Sequence, residues 1–355
     1  MIQEQIKSYW PLNKNETSFL FSLLVVSAIL FWAIRFLRLN DPVAVQVKSN
    51  ISIYIDKKMS VNELALKLKK NQVIKNTKDF TWSASINGYK TVQKGHYLLK
   101  PGAYTVKDII LNFGLGIQNP VKVTIAPGIS MDKIAQTVSA QLAFSKEEFL
   151  EFSQNEAALN EIGLNTKNLI GRMLPETYYL FWTTSPKQLV QELNASTMKI
   201  IESHVSTSTQ KLNADQILTL ASIVEWEAGN NNEKPEIAGL YLNRMRRRWR
   251  LQADPTVNFA LGERRRLTYA DYELNHPYNT YVIKGLPPGP ITNPDETSIK
   301  AVLEPSKHKF MYMVATPEGV HDFSIRYEEH QRKSQKWVRW LRQQYRIKAQ
   351  RERNG

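Results

Sequence analysis

The sequence contains no cysteine among its 355 residues. This absence excludes a disulfide framework, a thiolate metal site and a cysteine nucleophile. Acidic residues are scarce beside basic ones: 33 Asp and Glu stand against 47 Lys and Arg, which gives a formal net charge of +14. With 42% hydrophobic and 23% charged residues, the chain is still expected to fold around a core, and its length suggests two or three domains.

The excess of positive charge favours an anionic partner, such as an acidic polymer, an anionic lipid or nucleic acid. Eight arginines lie between Arg244 and Arg266, and residues 331–355 hold nine Lys or Arg against one acidic residue. Neither region has the Cys and His spacing of a zinc finger or an RNA-binding signature. We therefore expect no nucleic-acid partner, although net charge alone leaves a membrane-tethered nucleic-acid binder as one alternative.

One long uncharged hydrophobic run lies near the start of the chain, at residues 17–34. A helix of that length spans about 27 Å, close to the hydrocarbon core of a bilayer at about 30 Å. Trp32 stands near one end, where an interfacial aromatic residue belongs. Because Arg35 and Arg38 follow without a small-residue cleavage site, we predict an uncleaved single-pass anchor. The alternative is a buried core helix, and the flanking charges do not decide the orientation.

A weak internal repeat follows the anchor. Ser60, Thr105 and Ser130 each precede a run of periodic apolar residues, where a Ser or Thr can cap a helix. Alternating or β-branched segments precede each of these residues, at 51–55, 95–99 and 121–125. The pattern predicts strand, turn and capped helix three times, and with it an α+β fold. Chance similarity between short capped helices is the alternative.

Two further helical regions are predicted. Residues 144–160 have the composition of a polar helical connection. At residues 331–350, Trp337, Trp340, Leu341 and Tyr345 fall at helical spacing among Arg and Lys, which predicts a terminal amphipathic helix. Its apolar stripe packs either on its own domain or on a membrane surface.

The segment 216–227 is apolar nearly all round and predicts a buried helix, with Asp215 as its cap. Glu225 lies one turn after Ala221 and two turns after Leu218, so it shares an apolar face with them. A carboxyl in such surroundings loses hydration when ionised, so its pKa is expected to rise, as general acid catalysis requires. A buried glutamate paired with an arginine is the alternative. Glu227 is the alternative acid; it lies two positions further along the helix and therefore points in another direction.

Four more segments combine polar, aromatic, Pro and Gly residues in the way that sugar-binding clefts do. They are GRMLPETYY at 171–179, LQADPT at 251–256, YNTY at 278–281 and GLPPGP at 285–290, the last followed by Thr292, Asn293 and Pro294. Each segment taken alone is more typical of a plain surface turn. Several rigid prolines suit a site that is built from loops on a scaffold.

Taken in order with LASIVEWE at 220–227 and HDF at 321–323, these segments resemble the endolytic murein transglycosylase family, also called YceG-like. The resemblance covers roughly residues 50–330 and is strongest from Gly171 to Phe323. Three positions depart from the family pattern: Met245 replaces Leu, Glu176 replaces Asp, and Ile170 replaces an acidic residue. The departures at Ile170 and Glu176 concern the wall of the predicted cleft near Gly171. They do not bear on the role predicted for Glu225.

The residue patterns and the resemblance together predict a division of the chain into regions. Residues 1–16 are a cytoplasmic tail, 17–34 a transmembrane anchor in the plasma (inner) membrane and 35–50 a linker. Residues 51–122 are a LysM-like glycan-binding module with an α+β fold, and 123–165 are a connecting helical region. Residues 166–330 are an α+β catalytic domain on the outer (periplasmic) side, and 331–355 are a basic C-terminal helix or tail.

The resemblance also implies a function. The protein is expected to cleave nascent peptidoglycan strands internally, between N-acetylmuramic acid and N-acetylglucosamine, leaving 1,6-anhydro ends without a metal or organic cofactor. Its expected partners are peptidoglycan, membrane lipid, penicillin-binding proteins and the elongation or division machinery. Glu225 is the expected catalytic acid and base. The residues expected to hold the sugar are Gln252, Asp254, Asn279, Thr280, Tyr281, Glu176 and Tyr178. The arginine cluster is expected to face the muramic carboxylates and stem peptides.

A single carboxyl suffices for this reaction because the 6-hydroxyl of the muramic sugar attacks its own anomeric carbon. Such an intramolecular attack gains from proximity, whereas hydrolysing glycosidases usually need two carboxyls. A catalytically inactive glycan-binding scaffold of the cell wall is the main alternative function, and it would need no raised pKa at Glu225.

Overall fold

A computed structural model describes residues 13–40, 45–205 and 211–354. Most of the predicted tail and part of the predicted linker lie outside these ranges. The chain divides into two compact units, Met1–Pro120 with Phe181–Thr183, and Val121–Leu180 with Thr184–Gly355. Helices and strands occur in both units, which confirms a mixed α and β fold.

The first helix of unit 1, α1, runs over Lys14–Leu39 and is longer than the predicted run at both ends. Asn13 caps it by accepting hydrogen bonds from the backbone N–H groups of Asn15 and Glu16, at 3.0 and 2.9 Å. Within it, Lys14–Leu37 has a mean hydropathy of 2.3 and is long and apolar enough to cross a membrane. None of that span is buried in the described protein, so the alternative of a buried core helix is wrong.

The rest of unit 1 is built from short antiparallel strand pairs and three helices. The paired strands are β1 (Val45–Val47) with β6 (Gly102–Tyr104), β2 (Ile51–Ile55) with β5 (Gly95–Leu99), and β3 (Met59–Ser60) with β4 (Thr91–Val92). The helices are α2 (Val61–Lys70), α3 (Thr77–Ile86) and α4 (Val106–Leu115). One apolar core joins them, with Leu64, Phe80, Tyr97 and Phe113 among its buried members.

The predicted caps are confirmed in both units. The Ser60 and Thr105 hydroxyls accept from the N–H groups of Glu63 and Asp108, at 3.3 and 3.1 Å, and both caps are capping boxes. Ser130 caps its helix in the same way. The three strands expected before these caps are also present, so the short-range sequence pattern predicted the local structure correctly.

Unit 2 begins with β7 (Pro120–Thr124), which pairs with β8 (Thr177–Phe181). Between them lie α5 (Met131–Ser139), α6 (Lys146–Gln154) and α7 (Glu156–Asn160). The predicted helical connection at 144–160 is therefore two helices, because Asn155 ends α6 and caps α7.

The main core of unit 2 is helical. Its elements are α8 (Pro186–Val205), α9 (Ala214–Glu227), α10 (Lys234–Arg246), α11 (Asp254–Leu261), α12 (Tyr269–Tyr272) and α13 (Glu296–Leu303). Helix α13 packs against α8, α9 and α10. Residues of α9 from Ile217 to Val224 are buried, so its end is held firmly.

The chain ends in a hairpin and a long helix. Strands β9 (Tyr312–Ala315) and β10 (His321–Ser324) pair antiparallel, and α14 (Tyr327–Asn354) packs on both. His330 of α14 stacks on Tyr312 at 5.2 Å, and Tyr345 contacts Arg266 through a 3.3 Å hydrogen bond. These contacts support the prediction that the terminal helix packs on its own domain.

Candidate active site

The two glutamates of the E-x-E motif lie at the end of α9. The helix begins where the Asn213 side chain accepts from Gln216 N–H at 2.9 Å. The predicted cap, Asp215, is wrong: it is already inside the first turn, where it pairs with Arg172. Since eight successive residues of α9 are buried before Glu225, the end of the helix is positioned by the core.

Glu225 is a buried ion-pair residue. Lys234 Nζ lies 3.1 Å from Glu225 Oε2, and the side chains are 4% and 9% exposed. The same oxygen accepts from the Ser298 hydroxyl at 2.6 Å and from Asp295 N–H at 3.1 Å. The expectation that Glu225 lies among apolar side chains without a charge partner is therefore wrong. The structure agrees with the alternative of a paired glutamate, with a lysine in place of the arginine.

Glu227 has the raised pKa that was expected of the catalytic glutamate on this helix. It is the last residue of α9, and it stays partly exposed although its neighbours remove most of its hydration. Desolvation raises the pKa of Glu227 to about 8, and the negative charge of Asp254 acts in the same direction. Arg244 and Tyr241 lower it. A carboxyl with this pKa is protonated near neutral pH and can act as a general acid.

Asp254 is placed by an unusual backbone turn. Gln252 adopts a φ of 49°, a left-handed conformation that is costly for a residue with a side chain. Its N–H donates to the Thr280 carbonyl at 3.1 Å, and the turn leads Asp254 into the first position of α11. The Gln252 and Asp254 side chains are exposed, so both can reach a ligand. Their contacts with the substrate stay a prediction.

Two tyrosines hold the Asp254 carboxyl. The Tyr281 hydroxyl donates to Asp254 Oδ1 at 2.6 Å, and the Tyr272 hydroxyl donates to Oδ2 at 3.4 Å. The two rings contact each other with centroids 4.4 Å apart. Burial raises the pKa of the Tyr281 hydroxyl, and the charge of Asp254 adds to the effect, so the hydroxyl remains a donor. Tyr281 was predicted as a substrate contact; the structure gives it a role in orienting Asp254.

The other two predicted residues of the YNTY segment are fully buried. The Asn279 amide donates to the Tyr272 and Leu274 carbonyls at 3.1 and 2.8 Å. The Thr280 hydroxyl accepts from Ala253 N–H at 3.0 Å, which ties this loop to the Asp254 turn. Because their polar atoms are occupied inside the protein, we correct the substrate contacts predicted for Asn279 and Thr280 to a role in holding the loops.

The two site residues predicted near Gly171, Tyr178 and Glu176, differ in burial. Tyr178 is buried, and its hydroxyl donates to the Leu174 carbonyl at 3.0 Å. Burial raises the pKa of that hydroxyl. The substrate contact predicted for Tyr178 is therefore corrected to a core role. Glu176 has an exposed side chain, and its carbonyl accepts from Ile125 N–H at 3.0 Å.

The loop after Glu227 is fixed by a second buried glutamate. Glu233 Oε2 accepts from His321 N–H at 2.9 Å, and Glu233 Oε1 accepts from Gly229 N–H. Gly229 is needed there because a Cβ would come within 2.1 Å of the Gly319 carbonyl oxygen. The HDF segment thus acts through His321 on the loop that follows Glu227.

Asn293 joins three loops of unit 2 and was not among the predicted site residues. Its amide donates to the Ala126 and Met173 carbonyls at 2.9 and 3.2 Å, and its Oδ1 accepts from Ile129 N–H at 2.9 Å. Pro290 packs within 2.5 Å of where a Cβ on Gly171 would lie, so that position requires glycine. The GLPPGP-x-TNP stretch therefore holds the walls of the site together.

The arginine cluster is divided in the structure. Arg244 is buried; its Nε donates to the Met311 carbonyl at 2.8 Å, and another of its nitrogens donates to the Leu251 carbonyl. Arg265 forms an ion pair with Asp271 at 2.7 Å. The expectation that the whole cluster faces an anionic polymer is therefore wrong for these two arginines.

A carboxyl kept protonated beside a second, exposed carboxyl defines an acid–base enzyme site. The chain matches the YceG-like family over residues 53–336 and belongs to it. A crystal structure of a YceG-like protein from Listeria monocytogenes has a TM-score of 0.55 at 30% identity, covering 80% of this chain and 98% of that one.

Two named relatives from other bacteria are also similar. The endolytic murein transglycosylase of Bacillus subtilis (strain 168) is 30% identical over 318 residues, which are 84% of this chain and 88% of that protein. The endolytic murein transglycosylase of Streptococcus pneumoniae serotype 2 (strain D39 / NCTC 7466) is 27% identical over 325 residues, which are 82% of this chain and 59% of that protein.

Proposed function

We propose that the protein is a lytic transglycosylase of peptidoglycan, with Glu227 as its general acid and base. The observation that carries the proposal is the raised pKa of Glu227, at about 8, beside the exposed carboxyl of Asp254. Membership of the YceG-like family and the names of the relatives support the substrate class. Glu227 replaces Glu225 in this role because Glu225 is committed to Lys234.

The reaction needs one proton donor that becomes a proton acceptor. Glu227 donates its proton to the glycosidic oxygen as the bond between the muramic anomeric carbon and that oxygen breaks. In this proposal the Asp254 carboxyl, which accepts a hydrogen bond from Tyr281, stabilises positive charge at the anomeric carbon. The muramic 6-hydroxyl then bonds to that carbon and gives its proton to Glu227. The carboxyl is regenerated, an anhydro ring is formed, and no water is consumed.

The reaction class is tested by digesting purified peptidoglycan with the full-length protein in isotopically labelled water. Mass spectrometry of the fragments is expected to find 1,6-anhydro ends without the label. Labelled reducing ends would show that Asp254 directs a water instead and that the enzyme is a hydrolase. Binding to peptidoglycan with neither product would support the inactive scaffold.

We propose that α1 anchors the enzyme in the plasma membrane with unit 2 on the outer side. The uncharged run at residues 17–34, which is not buried in the described protein, supports the anchor, and an extracytoplasmic substrate supports the orientation. An alkaline phosphatase fused after Asn40 is expected to be active. A cytoplasmic reporter that is active at the same junction would reverse the orientation.

We further propose that residues 51–122 act as a LysM-like glycan-binding module. An aromatic cluster in unit 1 supports the proposal: Tyr54 stacks on His96 at 4.6 Å and contacts the ring of Trp182 at 5.3 Å. Tyr54→Ala is expected to weaken binding of the full chain to peptidoglycan without changing its melting temperature. Unchanged binding would remove the glycan role from this cluster.

The penicillin-binding and elongation or division proteins stay predicted partners, to be sought by co-purification from membranes.

A further inference from the structure

A groove of about 810 Å³ lies in unit 2 beside the end of α9 and along α11. Trp226 and Asn258 form part of its wall. Trp226 precedes Glu227 in the chain, and Asn258 lies about one helical turn, or about 5.4 Å, after Asp254. The groove therefore lies next to the backbone segments that carry the proposed catalytic carboxyls, and among the described residues neither Glu227 nor Asp254 lines it.

The groove is mainly apolar but carries unbalanced positive charge. Five charged residues line it, and its two acids are already paired outside it: Asp132 with Lys146 at 2.6 Å, and Glu263 with Arg265 at 2.7 Å. The three cations of the wall are exposed and form no ion pair within the described ranges; they are Lys133, Lys167 and Arg264. An apolar space with cations that have no acidic partner favours a ligand that combines hydrophobic groups with carboxylates.

The aromatic rings of the groove are poorly placed for stacking on sugars. The Arg264 guanidinium covers one face of Trp226 at 4.7 Å, and Phe259 packs against Tyr278 with centroids 4.6 Å apart. Trp226 is further fixed by a 2.9 Å hydrogen bond from its Nε1 to the Gly128 carbonyl. Much of the remaining wall is aliphatic: Ile129, Met131, Leu150, Leu169 and Ile170. Aliphatic walls suit peptide side chains better than sugar rings.

We propose that this groove binds the anionic stem peptide carried by a muramic sugar next to the bond that is cut. The inference rests on the proposed function, because that function brings a strand with attached peptides to Glu227. A volume of about 810 Å³ lies within the range of about 300–1,000 Å³ that is usual for ligand pockets. Arg264, Lys133 and Lys167 receive the peptide carboxylates, so the enzyme selects strands that still carry their peptides.

The test compares two substrates with the full-length protein in detergent: soluble glycan strands with uncrosslinked stem peptides, and the same strands after an amidase has removed the peptides. The wild-type protein is expected to cleave the peptide-bearing strand with the higher kcat/KM. Arg264→Gln is expected to lose about tenfold on that strand, the effect of one charge-assisted hydrogen bond, and nothing on the peptide-free strand. Arg247→Gln makes the same charge change at an exposed site outside the groove and is the matched control.

The outcomes separate this inference from the proposed function. If Arg264→Gln loses kcat/KM equally on both strands, or if the wild type cleaves both strands equally well, the peptide site is wrong. The proposed transglycosylase function is unaffected by either result. If neither strand is cleaved, calorimetry with a soluble muramoyl pentapeptide tests whether the groove binds a stem peptide. Binding that Arg264→Gln weakens would support the groove although the reaction fails, and no binding would remove the groove as well.

Discussion

Lys234 Nζ lies 3.1 Å from Glu225 Oε2, and both side chains are almost entirely buried. Lys234 also contacts Asp295 at 2.9 Å, so one lysine bridges α9 and the start of α13. This bridge distinguishes two glutamates that are only two residues apart in the chain. Glu225 is held in a buried ion pair that stabilises the fold, whereas Glu227 is left available for chemistry.

Glu225→Gln is expected to destabilise the protein because it leaves Lys234 with one acidic partner instead of two. Breaking a buried pair costs about 3–5 kcal/mol, and the remaining contact to Asp295 should reduce this to about 1–3 kcal/mol. Denaturant unfolding of unit 2 measures the change. Glu161→Gln, which breaks the exposed pair with Lys187, is the control and should change little. Equal stability of the Glu225 variant and the wild type would mean that the bridge is not structural.

The pH dependence of kcat/KM should report the protonation of Glu227. Since the acid form is the active one, activity should fall as pH rises through the pKa of about 8. Asp254→Asn removes the negative charge that helps to raise this pKa, so the alkaline limb should move to lower pH. Tyr281→Phe keeps that charge and should leave the limb in place. A limb that does not move in Asp254→Asn would show that another group controls it.

The same shift links the stability of the fold to pH. The pKa of Glu227 rises from 4.5 to about 8 on folding, so within this window the folded state holds a proton that the unfolded state releases. Stability is therefore lost as pH rises through the window, by at most about 1.4 kcal/mol per pH unit, and by less because Glu227 is partly exposed. Glu227→Gln has no such proton. Its melting temperature should exceed that of the wild type by a margin that grows from acidic to alkaline pH. A constant margin would contradict the raised pKa.

Local signals predicted the caps and strands well because their determinants are close in sequence. Ser60 and Glu63 lie three residues apart and form their capping box as expected. The cap of α9 was misplaced by two residues, although both Asn213 and Asp215 are good cap residues. Asn213 forms a capping box with Gln216, whereas Asp215 pairs with Arg172.

The site was harder to predict because its electrostatics come from remote residues. Asp295 lies 61 residues after Lys234, and Asp254 lies 27 residues before Tyr281, so no local pattern reveals either contact. The motifs singled out the helix and the loops that the proposed site uses. They could not show which glutamate Lys234 neutralises, or that Asn279 is buried.

The most direct test compares Glu227→Gln with Glu225→Gln, using the release of 1,6-anhydro fragments from peptidoglycan by equal amounts of folded protein. Glu227→Gln should melt at or above the temperature of the wild type and lose activity by a factor of at least about 10² to 10⁴, because Gln neither donates nor accepts the required proton. Glu225→Gln should melt earlier yet still cleave. If instead the Glu227 variant releases anhydro fragments at the wild-type rate, while folded Glu225→Gln releases none, Glu225 is the catalytic acid and Glu227 is not.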